Sequence, residues 1–530
     1  MAHPLEDYAL IGDTQTAALV AADGSIDWLC LPRFDSGACF AALLGDERHG
    51  HWRLAPTDEV VRVERRYRPG TLVLETDFHT AAGAVRVVDC MPPRTAAPEV
   101  VRLVHGLSGR VPMRMRLVLR FDYGSLVPWV RRDGEVLTAV AGPDAVCVTA
   151  GVPMRGEHLT TRADFEVREG DTVPFTLTWH RSHEPRPPAT HARGAVDDTT
   201  AWWRAWSGRS TLAGHRSELL ERSLITLKAL TYAPTGGIVA APTTSLPEQL
   251  GGVRNWDYRY CWLRDAALTL LALVDAGYVD EARAWRDWLL RAVAGAPAEA
   301  QIMYGPAGER RLTEIELAWL PGYAGSRPVR IGNAASGQFQ LDVYGEVMDA
   351  ILHARDAGLE LDLHAWHLQL ALVDHVARVW REPDEGIWEV RGPRRHFTHS
   401  KVMAWVAFDR AVETVERFGM DGPVDEWRRT RDEIHADVCE HGFDARRNTF
   451  TQSYGSDALD AALLRIPAVG FLPSDDPRVA GTVEAVQREL VRDGFVLRYA
   501  TEDASDGLPP GEGAFLPCSF WLVDALALLG

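Results

Sequence analysis

The chain has 530 residues, of which 46% are apolar and 25% charged, so a disordered protein is excluded and two or three globular domains are expected. The formal net charge of −18 argues against nucleic acid and anionic membranes as partners, because both need a basic surface. The seven cysteines are scattered without a CxxC pair, which argues against a disulfide framework or a zinc site.

The start of the chain lacks a basic region followed by an apolar run, so no secretion signal is expected. No run of apolar residues is long enough to predict a membrane span. The cytoplasm is therefore the expected location.

Residues 1–190 are predicted to form a β domain. Several stretches alternate in polarity or are rich in β-branched residues, and turn signals such as Arg68-Pro69-Gly70 separate them. Short strands at this spacing favour an antiparallel sandwich. A stretch rich in proline and arginine follows, and we predict a linker over residues 191–215.

Residues 216–530 show helical periodicity, with apolar residues three and four apart. The predicted helices are 216–233, 264–277, 279–294, 341–358, 363–381, 399–419, 424–439, 456–465, 477–491 and 515–529. Long and short loops tend to alternate between them, which favours a ring of helical hairpins with the long loops on one face. The long loops are 234–263, 295–340, 382–398 and 492–514.

These long loops are dense in tryptophan, arginine, carboxylates and glycine, a mixture that suits a pocket for a polyhydroxylated ligand. Hydrolysis of a glycosidic bond needs two carboxyl groups, and the acid needs apolar neighbours that keep it protonated. Glu389 follows Ile387 and Trp388 in the third long loop and meets that need. An ordinary solvated carboxylate, or a partner for Arg391, is the alternative for Glu389.

The chain resembles glycoside hydrolase family 15, the group of glucoamylases, glucodextranases and bacterial trehalases, over nearly its whole length. The residues that carry the resemblance are Ile11-Gly12-Asp13-Thr14, Gly24-Ser25-Ile26-Asp27-Trp28-Leu29-Cys30-Leu31-Pro32-Arg33-Phe34-Asp35-Ser36, Trp256-Asp257-Tyr258-Arg259-Tyr260-Cys261-Trp262-Leu263-Arg264-Asp265, Gly325-Ser326-Arg327-Pro328-Val329-Arg330-Ile331-Gly332-Asn333-Ala334-Ala335 and Gly386-Ile387-Trp388-Glu389. The resemblance implies a β-supersandwich followed by an (α/α)6 barrel.

The resemblance also implies roles for site residues. Glu389 takes the position of the general acid, with Trp388 beside it. Trp262 would line the innermost glucose subsite, and Arg264 and Asp265 would hold the outer hydroxyls. Arg330 lies in a segment that faces the substrate. The family inverts the anomeric carbon, so its base acts through water at about 6.5–9.5 Å from the acid. Neither a metal nor an organic cofactor is implied.

The family's base lies in a Glu-Glu-Tyr-Asp or Glu-Gln-Tyr-Asp segment, which is absent up to Gly530. Because the predicted helices also fall short of twelve, we expect a barrel that lacks its last helical hairpin. Glu512 in the fourth long loop is a candidate substitute base or a residue near the normal site, and Glu502 and Asp503 are weaker candidates. Three explanations for the absent segment are open: an incomplete sequence, a protein that lost catalysis, and completion of the barrel by another chain. Exposed helix faces of this kind favour association, so a homo-oligomer is one alternative.

The first functional hypothesis is an exo-acting, inverting α-glucoside hydrolase that releases glucose, with trehalose preferred as substrate. Malto- and isomalto-oligosaccharides are the close alternative. A sugar-binding protein that lost its base belongs to another class. A phosphorylase on the same architecture is a further alternative, and it would require inorganic phosphate.

Overall fold

The computed structural model describes residues 2–212, 218–294, 299–501 and 506–530. An antiparallel β domain comes first, as the sequence predicts. Its strands are β1 Tyr8–Gly12, β2 Ala17–Ala21, β3 Ser25–Cys30, β4 Ala38–Phe40, β5 His51–Pro56, β6 Val60–Tyr67, β7 Leu74–Thr80, β8 Gly83–Cys90, β9 Glu99–Val118, β10 Trp129–Asp133, β11 Val136–Ala141, β12 Asp144–Ala150, β13 Arg155–Glu157, β14 Thr160–Arg168 and β15 Thr172–Arg181.

Strand β9 joins the two layers of this domain. Its first half pairs with β15 and β8, and its second half pairs with β14 and β5. The change of partner falls at Gly106 and Gly109. A Cβ at Gly106 would lie 1.9 Å from the carbonyl oxygen of Arg168, and Gly109 has a φ of 66°. A side chain would clash at Gly106 and would be strained at Gly109. Glycine at these two positions therefore allows the strand to cross between the layers.

The core of the β domain lies between the two layers. Along the second half of β9, Val111, Met113, Met115 and Leu117 are buried while Arg114 is exposed. This alternation follows the two-residue period of a strand. The facing side chains come from the other layer and include Phe78, Val85, Val146, Phe175 and Leu177.

The predicted linker contains a helix, α1 (Ala192–Ser207). Val196 of α1 packs against the β domain, and Trp203 and Trp206 pack against the helical domain. The Trp206 ring stacks on Tyr278 with centroids 4.2 Å apart. The prolines before residue 190 indicated a linker, but the apolar residues that follow recur at helical spacing. Helix α1 therefore bridges the two domains. Residues 213–217, which include the predicted start of the barrel, lie outside the described residues.

Apart from the short helix α9 (Arg465–Ala468), the remaining helices agree closely with the predicted segments. They are α2 Glu218–Ala229, α3 Leu263–Asp275, α4 Val279–Ala292, α5 Asp342–Asp356, α6 Leu363–Val379, α7 Thr398–Phe418, α8 Val424–His441, α9 Arg465–Ala468, α10 Pro477–Glu489 and α11 Leu516–Leu529. Helices α3, α5 and α7 pack side by side, and α5 and α7 are buried on nearly all sides. This is the arrangement expected for inner helices of a hairpin ring.

Ten further two-residue strands form five small antiparallel pairs within the helical half. They are β16 Thr231–Tyr232, β17 Gly237–Ile238, β18 Cys261–Trp262, β19 Met303–Tyr304, β20 Ile315–Glu316, β21 Arg330–Ile331, β22 Phe443–Asp444, β23 Thr449–Phe450, β24 Val491–Arg492 and β25 Phe495–Val496 in the described part of the chain.

The predicted helix over 456–465 is wrong in position. Asp460 accepts a hydrogen bond from the backbone N–H of Ala462 at 2.8 Å, which starts a 3-10 turn over Ala461–Leu464 that continues into the short helix α9. A side-chain oxygen at a helix start satisfies a backbone donor that has no partner within the helix. The signal was the aspartate, which sits four residues inside the predicted segment.

Helix α11 is strongly apolar but poorly covered. Phe520 is 66% exposed and Val523 is 59% exposed, while Cys518, Trp521 and Ala525 face the core. A missing last hairpin stays a prediction. Among the described residues, no helix is both long and apolar enough to span a membrane.

Candidate active site

The four long loops predicted to carry the chemistry meet around two adjoining cavities. One cavity has a volume of about 290 Å³, close to the lower end of the range for small-molecule sites. It is lined by Arg264, Asp265 and Phe515 among others, and the second cavity is lined by Trp256, Trp262, Asn333 and Arg391 among others. Five residues line both cavities: Glu248, Tyr258, Trp388, Glu389 and Arg498.

Glu389 lies on the wall shared by the two cavities. Its backbone has a φ of 50°, which is the left-handed region that a non-glycine residue rarely adopts. Its carboxylate accepts a hydrogen bond from Arg264 Nη1 at 3.0 Å. Burial raises the pKa of Glu389, the charge of Arg264 lowers it, and the neighbouring Asp265 raises it. The predicted alternative partner, Arg391, instead faces Glu314 at 3.5 Å.

Arg264 and Asp265 occupy the first turn of α3. Arg264 donates to Asp265 Oδ2 through Nε at 3.1 Å and Nη2 at 2.8 Å. Its Nη1 also donates to the backbone carbonyl of Ile387, in the loop that carries the acid. This one guanidinium therefore connects the start of α3 with the Glu389 loop. Trp262 stands just before α3, has its ring centroid 5.4 Å from that of Tyr258, and lines the second cavity.

Trp388 forms a fixed wall next to Glu389. Its indole N–H donates to both carboxylate oxygens of Asp460, at 2.9 and 3.1 Å. Its ring meets Phe515 edge to face with centroids 5.8 Å apart, and the guanidinium of Arg498 lies 5.4 Å from its ring centre. A hydrogen bond and packing on two sides hold this ring in one orientation.

Arg498 is a cavity residue that the sequence reasoning missed. It donates to Glu248 Oε2 at 2.8 Å and to Glu512, and Glu248 in turn accepts from the hydroxyl of Tyr258 at 3.3 Å. The available signal was the density of charged and aromatic residues in the fourth long loop, where Arg498 precedes Tyr499. Glu248 had no comparable signal, because it stands apart from the motifs of the first loop.

Glu512, the candidate substitute base, is buried between two arginines. Oε1 accepts from Arg498, and Oε2 lies 3.4 Å from Arg254 Nη1. Burial raises the pKa of Glu512, and the charge of Arg498 lowers it. Glu512 is not among the residues that line the two cavities. Glu502 and Asp503 lie outside the described residues.

Arg330 lies behind the cavity wall. Its Nη1 donates to the carbonyls of Val253 and Asn255 at 3.0 and 3.2 Å, and its guanidinium stacks on one face of Trp256 at 4.6 Å. Arg391 lies 4.8 Å from the same ring, and it is Arg391 that lines the cavity. The structure therefore brings Arg264, Asp265, Trp262 and Trp388 around Glu389, and it places Arg330 one layer further out. The described residues contain no group of side chains suited to hold a metal ion.

Comparison with known proteins agrees with this architecture. Residues 214–529 match the family described as glycosyl hydrolases family 15, and residues 1–180 match a trehalase-like N-terminal domain. The chain is 41% identical to a trehalase of Mycobacterium tuberculosis, over 99% of this chain and 82% of that protein. It is 40% identical to a trehalase of Mycolicibacterium smegmatis, over 99% of this chain and 83% of that protein.

A bacterial glucoamylase crystallised with acarbose has a similar fold, with a TM-score of 0.68 and 12% sequence identity. The match covers 94% of this chain and 81% of the glucoamylase. The family match over the helical domain and the similarity to trehalases identify a glycosidase, and its two-domain fold places a carboxyl group on the wall common to two cavities. The chain belongs to glycosyl hydrolases family 15.

Proposed function

We propose that this protein hydrolyses trehalose, the glucose disaccharide whose two anomeric carbons share one oxygen, with inversion at the carbon that is cleaved. The near full-length similarity to trehalases supports this substrate. The observation that carries the chemistry is the position of Glu389 on the wall common to two cavities. A disaccharide that binds in the larger cavity and extends toward the smaller one would present its bridging oxygen to that carboxyl.

Glu389 acts as the general acid in this proposal. It protonates the bridging oxygen as the bond to the anomeric carbon breaks, which avoids release of a basic alkoxide. Burial favours the protonated form that this step needs, and Arg264 opposes that effect. Asp265 pairs with Arg264 at 2.8 Å and so offsets part of the opposing charge.

Arg264 and Asp265 bind hydroxyls of the glucose in the cavity that they line, where Trp388 supplies an apolar wall, and Trp262 supplies an apolar wall of the second cavity. Charge-assisted hydrogen bonds from a guanidinium and a carboxylate suit adjacent sugar hydroxyls. Because Arg264 also contacts Glu389 and Ile387, binding of glucose at Arg264 is coupled to the placement of the acid. Arg330 supports the site indirectly, through Trp256.

An inverting reaction needs a second carboxylate about 6.5–9.5 Å from the first, to activate water. The contacts of Glu512 with Arg498 and Arg254 favour a role in holding Arg498 against Trp388, in place of the role of substitute base. The family's base in a Glu-Glu-Tyr-Asp or Glu-Gln-Tyr-Asp segment stays a prediction. The cytoplasmic location and the homo-oligomer also stay predictions.

Proton NMR of the first turnovers on trehalose tests the proposal. Inversion at one carbon gives equal initial amounts of α- and β-glucose, because the leaving glucose keeps its configuration. Maltose, isomaltose and starch serve as comparison substrates. Binding of trehalose without release of glucose would instead identify a sugar-binding protein, and a requirement for inorganic phosphate would identify a phosphorylase. Either result would overturn the proposal.

A further inference from the structure

The backbone at Glu389 is held in an unfavourable conformation. A left-handed φ at a residue with a long side chain costs energy and persists only where neighbouring groups support it. Gly386, at the start of the same turn, also has a positive φ of 68°, and the turn is closed by a hydrogen bond from the Glu389 N–H to the Gly386 carbonyl at 3.3 Å. The N–H of Val390 donates to the Glu385 carbonyl across the same turn, also at 3.3 Å. Both bonds are long, so further contacts help to hold the turn.

Gln338 supplies such a contact. Its side-chain Nε2 donates to the backbone carbonyl of Glu389 at 3.3 Å and to that of Val390 at 3.0 Å. A side-chain amide carries two N–H donors, so this one group can bond both carbonyl oxygens, and doing so fixes the orientation of the amide. Its Oε1 is buried and has no hydrogen-bond partner among the described residues. The hydrogen bonds of this side-chain amide therefore go to the loop that carries Glu389, which we call the acid loop.

The chain around Gln338 is tied to the same loop at its other end. Phe339 and Glu385 exchange two hydrogen bonds, one from the Phe339 N–H to the Glu385 carboxylate at 2.9 Å and one from the Glu385 N–H to the Phe339 carbonyl at 3.1 Å. The N–H of Leu341 donates to Asp384 Oδ2 at 3.0 Å. These bonds fix the start of the acid loop, and the bonds from Gln338 fix the same loop at Glu389 and Val390, after the turn.

We propose that Gln338 is a positioning residue, which holds the backbone of Glu389 in the left-handed conformation and thereby aims its carboxyl group between the two cavities. Gln338 is not among the residues that line the two cavities, so it acts through the acid and not on the sugar. This inference rests on the proposed function of Glu389 as general acid.

The first test uses Gln338→Glu, which keeps the length of the side chain and makes its donor depend on pH. Below the pKa of the introduced carboxyl, its hydroxyl can donate one of the two bonds. Above it, a carboxylate faces two carbonyl oxygens and repels them. We expect the kcat on trehalose, relative to the unmodified protein, to fall by about 10²-fold as pH rises through that pKa. If the ratio of the kcat of Gln338→Glu to that of the unmodified protein does not change with pH, the proposal is overturned.

The second test uses Gln338→Leu with two substrates that place the same glucose in the site. Fluoride leaves α-D-glucosyl fluoride with little help from a proton, whereas trehalose needs the acid. We expect Gln338→Leu to lose much more kcat on trehalose than on the fluoride. Gln369→Leu is the matched control, because Gln369 is a buried glutamine whose side-chain amide donates within α6, to the Ala365 carbonyl at 3.0 Å. Equal losses on both substrates would contradict the proposal.

A crystal structure of Gln338→Leu tests the inference without relying on activity. We expect Glu389 to leave the left-handed region; a retained φ near 50° would show that Gln338 does not hold it. The two proposals fail in different ways. Full activity of Glu389→Gln on trehalose would overturn the proposed function. An unchanged Glu389 backbone in Gln338→Leu would overturn only the role of Gln338.

Discussion

Two loops of the helical domain each carry a partly or fully buried glutamate next to an arginine, but they use it differently. In the loop over residues 384–391, Glu389 has one arginine partner and faces two cavities. In the loop over residues 506–515, Glu512 lies between Arg498 and Arg254 and lines neither cavity. Burial raises the pKa of both glutamates. A raised pKa alone therefore does not identify the acid, and access to the cavity separates the two.

The backbone separates them as well. Glu389 adopts a left-handed φ of 50°, and its loop is fixed by side chains from two other segments, Arg264 and Gln338. Strained backbone held by surrounding contacts is concentrated at functional sites. The contacts of Glu512, by contrast, neutralise charge around Arg498 and fix that arginine against Trp388.

The largest expected effect comes from exchanging each carboxyl for an amide. Glu389→Gln should lower the kcat on trehalose by at least about 10²-fold, because the amide has no acidic proton to give. Glu512→Gln should retain kcat within about tenfold, since its amide still accepts from Arg498. Steady-state kinetics of both variants provide the measurement. A larger loss in Glu512→Gln than in Glu389→Gln would reverse the assignment.

Arg264→Gln is expected to have the next largest effect. Loss of a charge-assisted bond to the sugar should lower kcat/KM by at least about tenfold. The sign of the pH effect follows from the contacts. Arg264 lowers the pKa of Glu389, and the acid works only when protonated, so activity falls as pH rises through that pKa. Without Arg264 the pKa rises, and this fall should move to higher pH.

The pH profile of kcat/KM for Arg264→Gln checks that direction. Arg286→Gln is a suitable control, since Arg286 is a buried arginine paired with an adjacent aspartate, Asp287, at 2.9 Å and lies away from the cavities. If the fall in kcat/KM on the alkaline side of the profile moved to lower pH in Arg264→Gln, the electrostatic role of this residue would be contradicted.

Glu512→Gln should show its main effect on stability. The substitution removes the charge that pairs with two buried arginines, although Glu248 and Asp506 remain as their other partners at 2.8 and 2.7 Å. We expect a loss of about 1–3 kcal/mol in the free energy of unfolding. Thermal or denaturant unfolding measures it. Unchanged stability together with lost activity would restore Glu512 as a candidate base.

The smallest effect is expected for Trp388→Phe. Removal of the indole N–H leaves buried Asp460 with hydrogen bonds from Gln452 at 3.1 Å and from the Ala462 N–H at 2.8 Å. The cost should be about 1–2 kcal/mol in stability, with a loss of only severalfold in kcat, because the apolar wall beside Glu389 persists. Unfolding and kinetic data on the same preparation test both parts. A loss of kcat as large as that of Glu389→Gln would mean that the indole takes part in the chemistry.

Much of the fold could be predicted from the sequence because its periodicity is strong. The bounds of α3, α5 and α7 differ from the predicted segments by three residues or fewer at each end, since long apolar faces leave little choice of period. Helix α1 was missed because the prolines that precede it outweighed the spacing of Val196, Thr199 and Trp203. The helix over 456–465 was misplaced because a single capping aspartate, Asp460, decides where it starts.

The site was predictable only where residues stand in a contiguous motif. Trp262, Arg264, Asp265, Trp388 and Glu389 met that condition, and they line the two cavities. Glu248, Gln338 and Arg498 reach the site from separate loops, so their convergence is a property of the folded chain. Arg330 shares a motif with the site but places its guanidinium over the ring of Trp256 and lines neither cavity. Local sequence does not reveal which way such a side chain points.

The most direct test of the central claim is how the kcat of Glu389→Gln depends on the leaving group of the substrate. The variant and the unmodified protein are compared on trehalose and on α-D-glucosyl fluoride at the same pH. If Glu389 is the general acid, the loss of kcat on trehalose is at least about 10²-fold and the loss on the fluoride is much smaller. Equal losses on the two substrates, or no loss on trehalose, would contradict the assignment of Glu389.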